Sequence, residues 1–201
     1  MVTTPIVARQ LHRAPVCLPT CLVSSCEAAA VSRWDQWQLP PSPLAPPVAG
    51  CTRYDLSDPF ENRAGPFWVL QRGHAGGASK PSSPHFYLRV GQQHCNSGDI
   101  VHGGLLMTLA DTTAAATASQ AAGGFCVTVS CSNDFLGAVR DGDLLWSRAD
   151  VSRRTDRIVF VRGVISATRA AAQGEGRNAA TQDWRDVFTF SAVFSRSQPR
   201  L

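Results

Sequence analysis

The strongest sign of a reactive site in this chain of 201 residues is a carboxylate that lies a few residues after a pair of glycines. His102-Gly103-Gly104 precedes a run of small and apolar residues, 105–118, in which Asp111 is the only charged residue. Helices begin with backbone N–H groups that lack a partner within the helix, and the helix dipole adds positive charge there. Because glycine carries no Cβ, a ligand can approach this backbone closely. The pattern predicts an active site in which a helix start holds a developing negative charge; a solvent-facing Asp111 is the alternative interpretation.

The elements that would position these residues can be predicted from periodicity and turn residues. A long helix is expected from about Gly103 to Ala121, with Gly123-Gly124 as its stop, and a short helix from Asp55 to Ala64. Loops rich in Gly, Pro, Ser or Ala are expected at 74–83 and 170–182. Strands are predicted at Phe67–Gln71, His85–Val90, Cys126–Phe135, Asp143–Ser152, Arg157–Ala167 and Asp186–Phe194. The fold class is therefore α+β, with a mostly antiparallel sheet of five or six strands and one long helix.

Alanines mark the predicted long helix. The alanines at positions 110, 114, 115, 116 and 118 would keep the helix thin enough for a sheet to pack closely on it. Alanine is also the best helix former, so helix propensity alone explains the same residues.

Composition and charge limit the possible partners. Hydrophobic residues make up 44% of the chain, enough for one globular core, and no segment reaches the roughly 18 consecutive apolar residues of a membrane span. The formal charge of +4 comes almost entirely from scattered arginines, since Lys80 is the only lysine. Neither a nucleic acid nor a membrane is an expected partner. The mild positive charge would suit a polyanionic ligand such as coenzyme A, and it is equally typical of a protein surface.

The cysteines do not predict a metal site or a disulfide framework. The chain has seven, and those from Cys51 onward are dispersed without Cys-x-x-Cys spacing. An odd number in a chain of this size fits reduced intracellular thiols, so no metal and no cofactor is expected. Cys95, beside His94, is a weaker candidate nucleophile, because no further base motif surrounds it.

The first fifty residues are predicted to be an extension of a folded domain at 51–201. Arg9, His12 and Arg13 all precede the first acidic residue, Glu27, which is the composition of a mitochondrial targeting peptide. The proline-rich segment 40–47 is expected to be a stiff linker. The extension is expected to be poorly ordered or an over-long start of the reading frame, and the location cytoplasmic, or the mitochondrial matrix if the segment is a transit peptide.

Residues 94–112 resemble the active-site segment of hotdog-fold acyl-CoA thioesterases of the phenylacetyl-CoA (PaaI-type) thioesterase family. The resemblance extends over about residues 55 to 196, through Asp58-Pro59-Phe60-Glu61-Asn62, Gly142-Asp143 and the strand-like segment Ile158–Gly163. It implies a hotdog fold, in which the sheet wraps around one long helix, and a homodimer or a dimer of dimers. It also implies an acyl-CoA substrate and no cofactor.

The helix geometry and the resemblance together predict a site shared between subunits. Gly103 and Asp111 would lie about 12 Å apart along one helix, too far for both to act on one thioester carbonyl. The resemblance implies two hotdogs with antiparallel helices, so that the helix start of one faces the acid of the other. Gly103, helped by the Asn96 amide, would polarise the thioester carbonyl, and the partner's Asp111 would attack or activate water. Thr128 would hold that water, although it could equally be a packing residue in a strand.

Further residues are expected to contact the substrate. His102 is expected to fix the turn by hydrogen bonds to neighbouring backbone, and it could contact the substrate together with Gly104. Arg153, Arg154 and Arg157 could bind the phosphates of coenzyme A, although a solvated turn explains them as well.

The function predicted is acyl-CoA thioester hydrolysis. A non-catalytic acyl-CoA-binding hotdog protein and a hotdog hydratase acting on enoyl or hydroxyacyl thioesters are the alternatives. Asp111 discriminates against the first, because a protein that only binds has no use for a carboxylate there. The helix-start glycines favour a thioesterase over the hydratase.

Overall fold

The computed structural model describes residues 46–54, 58–71, 83–169 and 183–197. These ranges belong to one compact unit that spans Pro41–Leu201. The predicted targeting segment, most of the linker and nearly all of both predicted loops lie outside the described residues.

The central helix and the strands that follow it lie where the sequence places them, to within two residues at each end. The helices are α1 (Pro59–Ala64) and α2 (Gly103–Ala122), with a 3-10 turn at Gln92–His94. The strands are β1 (Thr52–Arg53), β2 (Trp68–Leu70), β3 (His85–Arg89), β4 (Cys126–Phe135), β5 (Asp143–Arg154), β6 (Ile158–Arg169) and β7 (Arg185–Arg196). Helix α1 begins at Pro59, whereas the predicted start at Asp55 lies outside the described residues. The reason for the start at Pro59 is a cap: the Asp58 carboxylate accepts the N–H groups of Phe60 and Glu61, each at 2.8 Å, and proline fits the first helical position.

The strands form one antiparallel sheet in the order β1-β2-β3-β5-β6-β7-β4. The sheet in the described part of the chain has seven strands, where five or six were predicted, because β1 consists of two residues and is too short to show a periodic pattern. After α2 the chain enters the sheet at its far edge, where β4 pairs with β7. In the described part of the chain no strand pairs with the other side of β4, which forms an edge of the sheet. A curved antiparallel sheet around one helix is the predicted hotdog fold.

Small side chains allow the sheet to pack closely on α2. Ala110, Ala114 and Ala118 recur every four residues, and all three are fully buried in the core together with Leu109. The sheet contributes large residues that face them, such as Phe188. Burying a side chain of that size stabilises the fold by roughly 1.5–3 kcal/mol. The spacing of the alanines thus determines which face of α2 packs against the sheet. The opposite face carries Asp111, which is only half-buried.

Glycine ends α2 as predicted. Gly123 adopts a left-handed conformation with φ 64°, and its N–H donates to carbonyl oxygens of the last helical turn. A residue with a Cβ would be strained at this φ. The helix therefore has a fixed length of 20 residues, which sets the distance between its two ends.

Candidate active site

Helix α2 and strand β4 bring Asp111 and Thr128 together. The Thr128 hydroxyl donates to Oδ1 of the half-buried Asp111 over 2.9 Å. A β-bulge lies at this point, because the register with β7 passes from Thr128 directly to Ser130. The Asp111 Oδ2 atom has no hydrogen-bond donor among the described residues, so one carboxylate oxygen is held and the other remains available to a water or a carbonyl carbon. This arrangement suits a general base or a nucleophile.

Asp111 and Thr128 lie in a groove of about 500 Å³ between α1, α2 and β4. Its lining mixes acidic, hydroxyl and apolar side chains: Asp58, Phe60, Glu61, Met107, Thr108, Asp111, Thr112, Thr128, Cys131 and Asn133. The Thr112 hydroxyl donates to Oε1 of Glu61 over 2.6 Å, which fixes α1 against the central helix. Glu61 has no predicted role, because nothing in its local sequence pattern shows where α1 docks.

The start of α2 offers one free donor rather than two. The Gly104 N–H donates to Nδ1 of His102 over 3.0 Å, and the Leu105 N–H donates to the His102 carbonyl over 2.9 Å. The imidazole therefore caps the Gly104 N–H, so this residue, predicted to contact the substrate, has no free backbone donor. Within the described ranges, no acceptor faces the N–H of Gly103. His102 thus fixes the turn, and Gly103 holds the donor that can face a ligand.

An aromatic ring covers this helix start. A Cβ added to Gly103 would lie 3.0 Å from Cε1 of Phe135, so the ring is in close contact with the glycine. Phe135 packs edge-on against Phe188, with ring centroids 4.8 Å apart, yet it remains 58% exposed. A ligand that reaches the Gly103 N–H must therefore pass beside the Phe135 ring. The sequence predicted the strand that carries Phe135, but not this contact.

Asn96 and the helix start belong to the same short hairpin. The Asn96 N–H donates to the Ile100 carbonyl over 2.8 Å, and the His102 N–H donates to the His94 carbonyl over 2.9 Å. The Asn96 side-chain oxygen accepts the Gly98 N–H over 2.8 Å. Because that oxygen is occupied, the Asn96 NH₂ group remains as the donor for a substrate.

His94 anchors this hairpin from inside the protein. Its Nδ1 accepts the Gly91 N–H over 2.9 Å, and its Nε2 lies 3.2 Å from the Gly65 carbonyl, to which it donates. Burial lowers the pKa of His94, against smaller raising effects of the Gly65 bond and the Asp141 charge. The ring is therefore neutral, with its proton on Nε2.

The same contacts weaken the case for a cysteine nucleophile. With both ring nitrogens engaged, His94 cannot serve as a base for the neighbouring Cys95. Burial is also the main factor that raises the pKa of the Cys95 thiol. A protonated thiol is a poor nucleophile.

A buried carboxylate supports the hairpin from behind. The Val101 N–H donates to the Val139 carbonyl over 2.8 Å, which ties the hairpin to the loop 136–142. Asp143 fixes that loop, because its Oδ2 accepts the Arg140 N–H at 3.0 Å and lies 3.3 Å from an Arg185 guanidinium nitrogen. The Asp143 side chain is only 2% exposed, so the ion pair is a structural element.

The three arginines predicted to bind phosphate do not form one cluster. The Arg154 guanidinium donates to the Ala121 carbonyl, at the end of α2. Arg157 lines a depression of about 570 Å³ next to that helix end. Arg153 lines a different depression, together with Ser130. The three side chains therefore do not line one common depression.

The free donor and the carboxylate are also apart within one chain. Gly103 is the first residue of α2, and Asp111 follows eight residues later, about 12 Å along the helix axis. A single thioester carbonyl cannot contact both. The two groups of one chain therefore cannot act on the same carbonyl.

No helix in the described ranges is both long and apolar enough to cross a membrane. In the same ranges, no group of three or more His, Cys, Asp or Glu residues is arranged to hold a metal ion.

The chain is similar to proteins of one superfamily. Residues 98–169 match the sequence profile of the thioesterase superfamily. A Pseudomonas aeruginosa protein, described provisionally as an esterase, is 37% identical over 92 residues, which cover 44% of this chain and 69% of that protein.

Solved structures share the fold. The PaaI protein from the Escherichia coli phenylacetic acid degradation operon has a TM-score of 0.54 and 22% identity, over 71% of this chain and 86% of that chain. A hexameric broad-specificity acyl-coenzyme A thioesterase has a TM-score of 0.50 and 16% identity, over 56% of this chain and 78% of that chain.

Proposed function

Because the chain belongs to the thioesterase superfamily, we propose that it hydrolyses acyl-CoA thioesters to a free acid and CoA. The observation that carries this proposal is the Asp111 carboxylate held by Thr128 in an open groove. A helix start with one unengaged N–H, at Gly103, lies on the same helix. Both features are what thioester hydrolysis requires: a group that delivers water and a group that stabilises an oxyanion.

The site would be completed by a second copy of the chain. Two antiparallel copies of α2, related by a twofold axis near Met107, would bring Gly103 of one subunit beside Asp111 of the other. The open edge of β4 supports this assembly, because an exposed edge with apolar side chains favours pairing with another strand. Exposed large apolar residues do concentrate on or beside this edge: Met107, Val127, Val129, Phe135 and Leu136. We therefore propose a homodimer, or a larger assembly built from it.

In this dimer the helix start would activate the thioester. The Gly103 N–H, with the positive end of α2 behind it, would donate to the carbonyl oxygen, and the Asn96 NH₂ would be a second donor. Such donors contribute roughly 100- to 1,000-fold each to the rate, because negative charge grows on the oxygen in the transition state. His102 and Gly104 would act indirectly, by holding the turn.

The partner's carboxylate would then deliver the nucleophile. As a general base, Asp111 would take a proton from a water that attacks the carbonyl carbon. Collapse of the tetrahedral intermediate would break the C–S bond, and the proton would pass to the departing CoA thiolate. As a nucleophile, Asp111 would first attack the carbonyl carbon and form a mixed anhydride as the C–S bond breaks. The CoA thiolate would leave and take a proton from water, and a second water would then hydrolyse the anhydride to the free acid and the Asp111 carboxylate. Thr128 would serve both routes by orienting the carboxylate.

The two alternative functions use the same fold but require different functional groups in the site. A non-catalytic acyl-CoA-binding protein would need the Gly103 donor, but not a half-buried carboxylate oriented by a hydroxyl. A hydratase acting on enoyl or hydroxyacyl thioesters would need a histidine paired with an acid. His94, which is engaged by backbone on both nitrogens, is not available for that role.

The test is Asp111→Asn, which keeps the shape of the side chain but removes its basicity. We expect release of CoA thiol from aryl- and fatty-acyl-CoA substrates to fall by roughly 100- to 10,000-fold, with substrate binding largely intact. Thiol release under saturating substrate measures kcat, and thermal unfolding checks the fold. Asp134→Asn is the matched control, because Asp134 lies exposed on the same strand as Thr128. Near-normal hydrolysis by a folded Asp111→Asn variant would remove Asp111 from the mechanism.

A further inference from the structure

A depression at the C-terminal end of α2 contains two arginines that the proposed mechanism does not use. It has a volume of about 570 Å³, and its lining includes Phe125, Asp156, Arg157 and Arg196 beside the glycines that end the helix. Asp111 precedes the terminating Gly123 by twelve residues, which corresponds to about 18 Å along the helix axis. The depression and the carboxylate therefore lie on the same subunit and along the same helix.

Backbone hydrogen bonds hold the walls of this depression together. The Arg196 N–H donates to the Arg157 carbonyl over 2.9 Å, and the Ser197 N–H donates to the Phe125 carbonyl over 2.9 Å. The end of β7 thus joins the starts of β6 and β4. A Cβ added to Gly124 would lie 3.9 Å from Nε of Arg196, so this guanidinium lies close to the glycine turn. Arg196 is the last residue of β7, and the backbone of Arg157, in the turn before β6, is held by its bond to Arg196.

The charges in the depression suit an anion. Neither the Arg157 nor the Arg196 guanidinium has an ion pair or hydrogen-bond acceptor within the described ranges. Arg154 donates to the Ala121 carbonyl, so its charge offsets the negative end of the helix dipole. Asp156 is the only carboxylate in the lining. The planar guanidinium group binds phosphate oxygens in a bidentate manner, which makes a phosphorylated ligand the best match.

An exposed aromatic ring completes the arrangement. Phe125 is 73% exposed at the rim of the depression, although a side chain of this kind is normally buried. Any nucleobase can stack on an exposed aromatic ring, because every base has a flat π-face. Two unengaged guanidinium groups beside such a ring therefore match the chemistry of a phosphorylated nucleoside.

We propose that this depression binds the phosphorylated adenosine end of a CoA thioester, which rests on the function proposed above. Arg157 and Arg196 hold the phosphates, and Phe125 stacks on the adenine. The extended pantetheine arm covers a distance of the order of the 18 Å between the depression and Asp111. The subunit that supplies the carboxylate thus also binds the nucleotide. Of the three arginines singled out in the sequence, only Arg157 contacts the ligand: Arg154 stabilises the helix end, and Arg153 lies elsewhere.

The kinetic test compares substrates with and without the nucleotide. For the double variant Arg157→Ala/Arg196→Ala, we expect KM for an acyl-CoA to rise roughly 10- to 100-fold with little change in kcat. The corresponding acyl-pantetheine, which lacks the nucleotide, should be hydrolysed as by the unaltered protein. Arg153→Ala is the matched control and should leave both substrates unaffected. An unchanged KM for acyl-CoA in the double variant, or an equal rise in Arg153→Ala, would overturn the proposal.

A binding measurement separates this proposal from the function on which it rests. In calorimetric titrations, the unaltered protein should bind adenosine 3′,5′-bisphosphate. The Kd should rise at least tenfold in the double variant and roughly tenfold in Phe125→Leu. If the protein binds this probe through the arginines but hydrolyses no acyl-CoA, the nucleotide site stands and the thioesterase proposal fails. If it hydrolyses acyl-CoA but the double variant binds the probe normally, the nucleotide site is refuted. A single-stranded RNA probe is the third ligand. If the protein binds this RNA as tightly as the bisphosphate, and the double variant weakens both affinities equally, the proposal is also refuted.

Discussion

In the proposed site, the hydroxyl of Thr128 would determine which oxygen of Asp111 faces the substrate. Its hydrogen bond to Oδ1 orients the carboxylate and leaves Oδ2 toward the groove. A threonine in a strand is commonly a packing residue, but Thr128 is exposed in a single chain, which argues against a purely structural role.

Substitutions at position 128 separate these two roles. We expect Thr128→Val, which keeps the shape but removes the donor, to lower kcat by roughly 10- to 100-fold, because the carboxylate loses its orienting hydrogen bond. Thr128→Ser should retain most of the activity. Steady-state thiol release by both variants measures the difference. Equal activity of the valine and serine variants would show that Thr128 only packs.

At this scale the sequence indicates residue types but not contacts. The charge of Asp111 within an apolar run, and the glycines before it, were sufficient to select them as candidates. Glu61 and Phe135 could not be selected, because their roles depend on how α1 docks on α2 and where β4 ends. Those contacts link residues that are far apart in the chain, such as Glu61 and Thr112.

Among the elements, the hairpin before α2 has the most direct effect on the site. It carries Asn96 and the helix start, and the buried His94 ties it to Gly91 and Gly65. The native ring is neutral, because burial lowers the pKa of His94, whereas in the unfolded chain that pKa is about 6.5. At pH values between the lowered pKa and about 6.5, the unfolded chain binds more protons at His94 than the folded chain does. The contribution of the neutral His94 ring to the free energy of unfolding is therefore lost as the pH falls through this window.

His94→Gln should therefore reduce the dependence of stability on pH. We expect the unaltered protein to lose stability between pH 7.5 and pH 5.5, and the variant to lose less, although it is less stable at pH 7.5 by about 1–3 kcal/mol. Urea unfolding at both pH values measures this difference. His102→Gln serves as a control, because His102 is exposed. An identical pH dependence in the variant would contradict the buried neutral ring.

Elements with strong local signals were predictable, and elements defined by tertiary contacts were not. Helix α2 has a capped start and a left-handed glycine at its end, so its limits follow from the sequence to within one residue. Strand β1 is defined only by its pairing with β2, as in Thr52↔Val69. A strand of two residues is too short to show an alternating pattern, so the sequence could not predict β1.

At the scale of the whole chain, the sequence predicts that residues 1–50 are dispensable for folding, and we propose this for residues 1–45. Residues just after them already contribute to the domain, since the half-buried Val48 packs against a cluster that includes Trp68 and Leu144. The boundary predicted at residue 50 therefore falls beyond a packed side chain.

Two truncations test this proposal. Deleting residues 1–45 should leave Tm and thioesterase activity nearly unchanged. Deleting residues 1–50 should lower Tm by about 2–5 °C, because it also removes Val48 from the cluster. Thermal unfolding of both proteins provides the measurement. A large loss of stability in the shorter truncation would show that the first 45 residues belong to the fold.

The shared site is the central claim, because the 12 Å between Gly103 and Asp111 prevents one chain from providing both halves. Mixing two nearly inactive variants, Asp111→Asn and Asn96→Ala, under conditions of subunit exchange tests it most directly. Each mixed dimer should hold one intact site, so thiol release should rise well above that of either variant alone. Mixing Asp111→Asn with Thr128→Val should give no such rise, because both defects lie in the same half of the site. No recovery of activity despite demonstrated subunit exchange, or full activity of a monomer in sedimentation experiments, would contradict the shared site.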